Sequence, residues 1–189
     1  MIERKLILFE QPGAQNTVAT LQAARERAEE LGLKQVVVAT STGATALKAA
    51  EVFAGLEVQI IGVTLQAGVW EKYTPPQPDL VQQAQERGVK FLTATHTLMG
   101  NVDTAIRVKF GGLPPTELIA HTLYLFGQGM KVAIEVAVMA ADAGLLAMER
   151  EVMAIAGTNG GADVALVLKP AYSVNFFDLQ VREIVALPR

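Results

Sequence analysis

The chain reads as an α/β domain, a mostly parallel sheet with helices on both faces. Three observations carry that reading. Short apolar runs alternate four times with segments of helical period, the pattern of strands joined by crossover helices. The most regular run, Gln35–Ala39, is dominated by valine, as expected of a strand covered on both faces. Finally, the apolar runs Glu151–Ala156 and Asp163–Leu168 are separated only by Gly157-Thr158-Asn159-Gly160-Gly161-Ala162. With no helix between them, these two runs read as an antiparallel hairpin.

In chain order, Lys5–Phe9 is the first expected strand, closed by the turn signal Pro12-Gly13. Asn16 is placed to cap a helix that runs to Leu31 and stops at Gly32. Val18, Leu21, Ala24, Ala28 and Leu31 share its apolar face, and Arg25–Glu29 is an i,i+4 pair on the wet side. Gln35–Ala39 is the second strand and Gly43–Ala54 the second helix. Glu57–Thr64 is the third strand. A loop with Gly68, Trp70 and Pro75-Pro76 leads to a helix over Pro78–Arg87, and Val89–Thr93 is the fourth strand.

From Ala94 to Leu113 the periodicity fades, and the segment reads as a long irregular connection of the kind that often carries function. Pro115 starts a helix to Phe126. Gly127-Gln128-Gly129 breaks it, and Met130–Met148 is a second, almost wholly apolar helix with Lys131, Glu135 and Asp142 on one narrow stripe. Such a helix is buried on most sides, within the domain or at a subunit interface, with the stripe solvated or paired across that interface. The tail from Ser173 to Pro188 ends in an extended segment.

Composition narrows the functional classes. With 189 residues, 51% of them hydrophobic and 19% charged, the chain suits one sizeable ordered domain spanning residues 1–189. A net charge of −3 argues against a basic nucleic-acid-binding face. The absence of cysteine excludes thiol nucleophiles, thiolate metal sites and disulfides, and fits a cytoplasmic setting. The apolar run ending at Phe9 is too short for a signal-peptide core. Met130–Met148 carries three charges, each costing about 2.5–3.5 kcal/mol at the centre of a membrane helix, so no membrane span is expected.

The segment Val36–Ala46 is the most informative. A strand ends in Thr40-Ser41-Thr42-Gly43-Ala44-Thr45 and a helix begins at once. Small residues permit close approach, hydroxyls donate, and a helix N-terminus presents free N–H groups, which together make a cradle for a phosphate. The plain alternative is that Thr42 merely caps the helix. It is neither a Walker loop nor a dinucleotide fingerprint. Pro12–Thr17 repeats the device after the first strand, and Thr93–Thr97, with His96, follows the fourth, so all three should open at one edge of the sheet.

His96 is a candidate for ligand contact or proton transfer, against the commoner use of a lone histidine as a hydrogen-bonded structural residue. Gly157 and Thr158 open a flexible loop able to approach a ligand through its backbone. Trp70 and Tyr73 are stacking candidates or ordinary packing residues. The two histidines show no metal-binding spacing, and no nucleophile–base arrangement stands out.

These residues resemble a family. Asn16-Thr17, Arg27-Ala28, Val37–Leu47, Thr95-His96, Gly111-Gly112, Phe126–Gly129 with Lys131-Val132, Glu135, Asp142–Leu145, Gly157-Thr158, Gly161–Asp163, Lys169-Pro170 and Phe176–Asp178 are similar to stand-alone proteins related to the C-terminal domain of pyruvate kinase. The resemblance covers nearly the whole chain. It implies a three-layer α/β/α sandwich with a five-strand, mostly parallel sheet whose last strand is antiparallel.

The resemblance also implies flavin mononucleotide (FMN) as the ligand. Its phosphate would rest on Ser41, Thr42, Gly43, Ala44 and Thr45, and Asn16, Thr17, Thr40, Thr64, His96, Gly157 and Thr158 would face the same cleft. Kinase activity is not implied, because the catalytic centre of pyruvate kinase lies in other domains. The sequence departs from the family pattern at Leu65-Gln66, where two histidines are usual, and at Tyr124 and Val164. The expectation is therefore a homo-oligomeric binding protein for a phosphorylated small molecule. The alternatives are a flavin-dependent enzyme using His96, or a regulatory or assembly module joined through Met130–Met148.

Overall fold

The computed structural model describes Met1 and residues 3–189. Seven strands, β1 (Ile7–Phe9), β2 (Gln35–Ala39), β3 (Gln59–Val63), β4 (Lys90–Leu92), β5 (Val152–Ala156), β6 (Val164–Lys169) and β7 (Gln180–Pro188), form one sheet in the order β1-β7-β6-β5-β2-β3-β4. Among the described residues, six α-helices accompany it: α1 (Thr17–Leu31), α2 (Ala44–Val52), α3 (Pro78–Glu86), α4 (Val102–Phe110), α5 (Pro115–Leu123) and α6 (Gln128–Asp142).

The α/β/α layering follows from the two-residue period of the strands. Val36, Val38, Met153, Ile155 and Val167 point to one face and pack with Leu21, Ala24 and Ala28 of α1, Ala46 and Ala49 of α2, and Ala84 of α3. Val37, Ile61, Val152, Ala154, Leu166 and Leu168 point to the other and pack with Met130, Ala133, Ile134, Ala137 and Ala140 of α6. Both faces are covered, which is why the central strands are apolar throughout rather than alternating.

The sheet is larger than the five strands implied by the resemblance. β1 pairs in parallel with β7, Ile7 opposite Ala186, and extends the sheet beyond the hairpin. β6 is antiparallel to both β5 and β7, so the strand that runs against the rest is the penultimate one. The sequence marks the tail only as extended, because the first third of β7, Gln180–Arg182, is exposed and lacks the apolar run of a central strand.

Three further differences have local causes. Val18 and Leu31 lie at the two ends of α1 and are exposed, while Leu21, Ala24 and Ala28 are fully buried. The segment from Ala94 to Leu113 contains α4, whose N-terminus is capped by Asn101 Oδ1 accepting from Asp103 N at 3.0 Å. Its apolar residues face no core, so the helical period carries no burial signal. In α6, Lys131 and Glu135 are buried and paired with each other inside the domain, not on a solvated or intersubunit stripe. The chain's own sheet covers α6, so its apolar character requires no partner. Asp142, at its C-terminal end, accepts from Ser173 N at 2.9 Å. Among the described residues, no helix is long and apolar enough to cross a membrane.

Candidate functional site

The C-terminal ends of β1, β2, β3 and β5 lie at the same edge of the sheet, because these strands are mutually parallel through their shared neighbours. β2 sits where the chain order reverses: β3 lies on one side of it and β5 on the other. That is where ligands bind in open α/β sheets. A cleft of about 410 Å³ opens there, with Ala14 and Thr17 from the first loop, Ser41, Thr42, Ala44, Thr45 and Lys48 at the start of α2, and Asn159–Gly161 from the hairpin turn. Leu65, Tyr73 and Thr74 close its remaining side.

The start of α2 presents unpaired backbone donors to the cleft. Gly43 adopts φ +101°, and a Cβ there would sit 3.2 Å from the Val81 backbone nitrogen, so the turn needs glycine on both counts. Thr40 is buried, and its Oγ1 accepts from Gly43 N at 3.1 Å and Ala46 N at 3.5 Å. Thr42 Oγ1 accepts from Ala44 N at 3.3 Å. The N–H groups of Ser41, Thr42 and Thr45 find no acceptor among the described residues. They remain at the mouth of the cleft with the positive end of the helix behind them, an arrangement that satisfies phosphate oxygens directly.

The opposite wall is fastened by one buried carboxylate. Asp163 Oδ2 accepts from Gly13 N at 2.8 Å and Thr158 N at 3.2 Å, tying the first loop to the hairpin turn. Thr17 Oγ1 accepts from Ala162 N at 3.0 Å and donates to Ala14 O at 2.6 Å, adding a second tie. Gly157 stands beneath this turn, where a Cβ would lie 2.6 Å from Gly161 O. Gly157 and Thr158 therefore support the wall from behind, and Asn159, Gly160 and Gly161 face the cleft.

The expected site residues thus divide. Thr17, Ser41, Thr42, Ala44 and Thr45 line the cleft, and Thr40 and Gly43 shape its floor. Asn16 neither lines it nor caps α1. A short 3₁₀ turn over Ala14–Asn16 precedes the helix, and Asn16 Nδ2 donates to Gln11 O at 2.7 Å. Thr64 is buried away from the cleft, its Oγ1 2.6 Å from Thr93 Oγ1. His96 lies behind the Leu65–Gln66 wall, where its Nε2 is 3.4 Å from the donating Gln66 N.

Lys48 and Asp163 escaped the sequence reading. Lys48 had a signal, since it follows Ala44 by one turn and helical side chains lean toward the N-terminus. The sequence marks Asp163 only as part of the hairpin turn and of the resemblance, because its tie to Gly13 spans 150 residues.

His96 belongs to a second polar cluster with Lys131 and Glu135. Glu135 Oε1 accepts from Leu98 N at 2.8 Å and Met99 N at 3.1 Å, while its Oε2 pairs with Lys131 Nζ. Gln66 Nε2 donates to Gly100 O, joining the loop after β3 to this turn. Burial holds the His96 imidazole below its ordinary value of 6.5; Glu135 opposes that shift, and Lys131 adds to it. Burial also raises the Tyr124 phenol above 10.0, with Glu135 adding to it.

The His96 shift fixes a pH dependence. Between the lowered folded value and 6.5, the unfolded chain binds a proton that the folded chain does not. The stabilisation is complete above pH 6.5 and is lost as the pH falls through the folded value. Melting temperature should therefore drop as the pH falls below 6.5, and His96→Phe, which cannot titrate, should flatten that part of the profile. Equal slopes in the two proteins would remove His96 as the cause.

The family model described as "Pyruvate kinase, alpha/beta domain" matches residues 18–168. That match takes in every element from α1 to most of β6, including the start of α2 and the hairpin turn. The chain belongs to this family.

Proposed function

We propose that this member of the pyruvate kinase alpha/beta domain family is a binding protein for a phosphorylated small molecule, with FMN as the leading ligand. The observation that carries the proposal is the group of three unpaired N–H donors, on Ser41, Thr42 and Thr45, at the N-terminus of α2 and open to the cleft. A phosphate dianion there gains the helix dipole, these donors, the nearby hydroxyls and the Lys48 ammonium. The rest of FMN fits the chemistry of the cleft, since Leu65 and Tyr73 offer an apolar, aromatic wall for a flat ring. Asn159 and the Gly160-Gly161 backbone offer polar groups opposite. No reaction is assigned. A cytoplasmic setting and a homo-oligomeric state complete the proposal, the latter because α4 and the residues after it leave large apolar side chains in water.

The test is a titration of purified protein with FMN, followed by flavin fluorescence, and with inorganic phosphate by calorimetry. Saturable binding is expected for both, weaker for phosphate. A hydrogen bond to a charged group contributes about 1.5–3 kcal/mol, so Thr42→Ala/Thr45→Ala should weaken FMN binding at least about tenfold. Failure of both ligands to bind would overturn the proposal. Binding of phosphate but not FMN would keep the cradle and discard the flavin.

A further inference from the structure

Helix α4 contains no buried residue. Polar side chains hold it to the domain: Thr104 Oγ1 donates to Glu117 Oε1 at 2.5 Å, and Thr116 Oγ1 donates to Asp103 Oδ2 at 2.6 Å. Arg107 Nε lies 2.6 Å from Glu117 Oε2. The apolar side chains of α4 take no part in this attachment. Val102, Ile106 and Phe110, spaced by four residues and hence aligned in one strip, are 72%, 45% and 75% exposed. A helix of nine residues has almost no stability of its own, so a strip of this kind facing water is an unfinished contact.

The order of residues in α4 says what finishes it. Counted outward from Ile106, Val102 is the counterpart of Phe110, and Asp103 of Lys109. Two copies of α4 laid antiparallel about a twofold axis at Ile106 would set Ile106 against itself and Val102 level with Phe110 of the other copy. The first turn of each copy would lie level with the last turn of the other, which carries Lys109, with the two helix dipoles opposed. A specific dimer buries about 800 Å² on each partner. Val102, Ile106 and Phe110 supply the apolar centre of such a contact.

We propose that α4 is the contact helix of a symmetric homodimer, packed antiparallel against α4 of a second copy of this chain with Ile106 on the axis. The inference rests on the homo-oligomeric state proposed above and deepens it by naming surface and symmetry. It is independent of the ligand.

The chain has no cysteine, so Ile106→Cys places a single thiol at the axis. Light scattering should give the wild-type protein twice its chain mass and the Ile106→Lys variant the mass of one chain. Mild oxidation should convert Ile106→Cys almost fully to a covalent dimer and leave Glu57→Cys, on an exposed loop before β3, uncrosslinked. A monomeric wild-type protein would overturn both this interface and the homo-oligomeric state. A wild-type dimer in which Ile106→Cys fails to crosslink would overturn this interface alone. A monomer that floats with anionic phospholipid vesicles through α4 would assign the strip to a membrane surface instead.

Discussion

Replacement of Glu135 by leucine should destabilise the fold by about 3–5 kcal/mol, the range for removing one partner of a buried ion pair. Glu135 and Lys131 are 3% and 4% exposed, so water does not reach the ammonium that would be left behind. The substitution also strands the Leu98 and Met99 N–H groups, both of which donate to Glu135 Oε1. Each stranded donor adds about 1–3 kcal/mol if it finds no substitute, although local rearrangement around Leu98 will recover part of this.

The double change Lys131→Met/Glu135→Leu should be more stable than Glu135→Leu alone, because it removes the unpaired charge and leaves only the two amides. Urea unfolding of wild type, both single variants and the double variant gives the coupling directly. A Glu135→Leu protein within about 1 kcal/mol of wild type would show that the pair is not desolvated as described.

Gly161→Ala should destabilise the fold and weaken ligand binding together. Gly161 has φ +65°, and a Cβ there would overlap Thr17 Oγ1 and lie 2.7 Å from Ala14 Cα. The left-handed conformation costs alanine about 1–2 kcal/mol, and forcing a methyl group into a packed site adds about 1–3 kcal/mol. The strain falls on the contact between the hairpin turn and the first loop, the two segments that Asp163 ties together at the cleft.

Gly32→Ala is the matched control. Gly32 has φ +63°, but nothing lies within 4 Å of the added Cβ. That variant should show the conformational cost alone and bind ligand normally. Equal stability loss in the two variants, with unchanged binding in both, would mean that the turn moves freely and does not define the cleft.

Most of the architecture was legible in the sequence, since the strands from β2 to β6 are short apolar runs bounded by turn residues. The burial of both sheet faces made the Val36–Val38 run visible as a central strand. What escaped depended on long-range partners. The first strand is expected at Lys5–Phe9 and is found at Ile7–Phe9, but its pairing with β7, and β7 itself, are tertiary events without a local signal. The helix α4 has cap and stop signals, Asn101 and Gly111, but no apolar face turned to a core, so periodicity passed over it.

At the site, the start of α2 was readable because its chemistry is local: hydroxyls, a glycine and a helix N-terminus within a few residues. His96 was assigned to the cleft because its strand ends at the same sheet edge, and strand position alone does not say which side of a loop a side chain takes. Gln66 and Leu65 come between. Lys131 and Glu135 looked like a solvated stripe because charge at i,i+4 spacing is usually a wet face. Only the packing of the 97–100 turn over them shows otherwise.

The most direct measurement of the proposed phosphate cradle is an amide NMR titration of the protein with inorganic phosphate. Saturable shifts are expected to concentrate at Ser41, Thr42, Ala44 and Thr45, with smaller changes at Lys48 and Asn159–Gly161. Absence of saturable shifts at the start of α2, or saturation centred on another part of the surface, would contradict an anion site at this edge of the sheet.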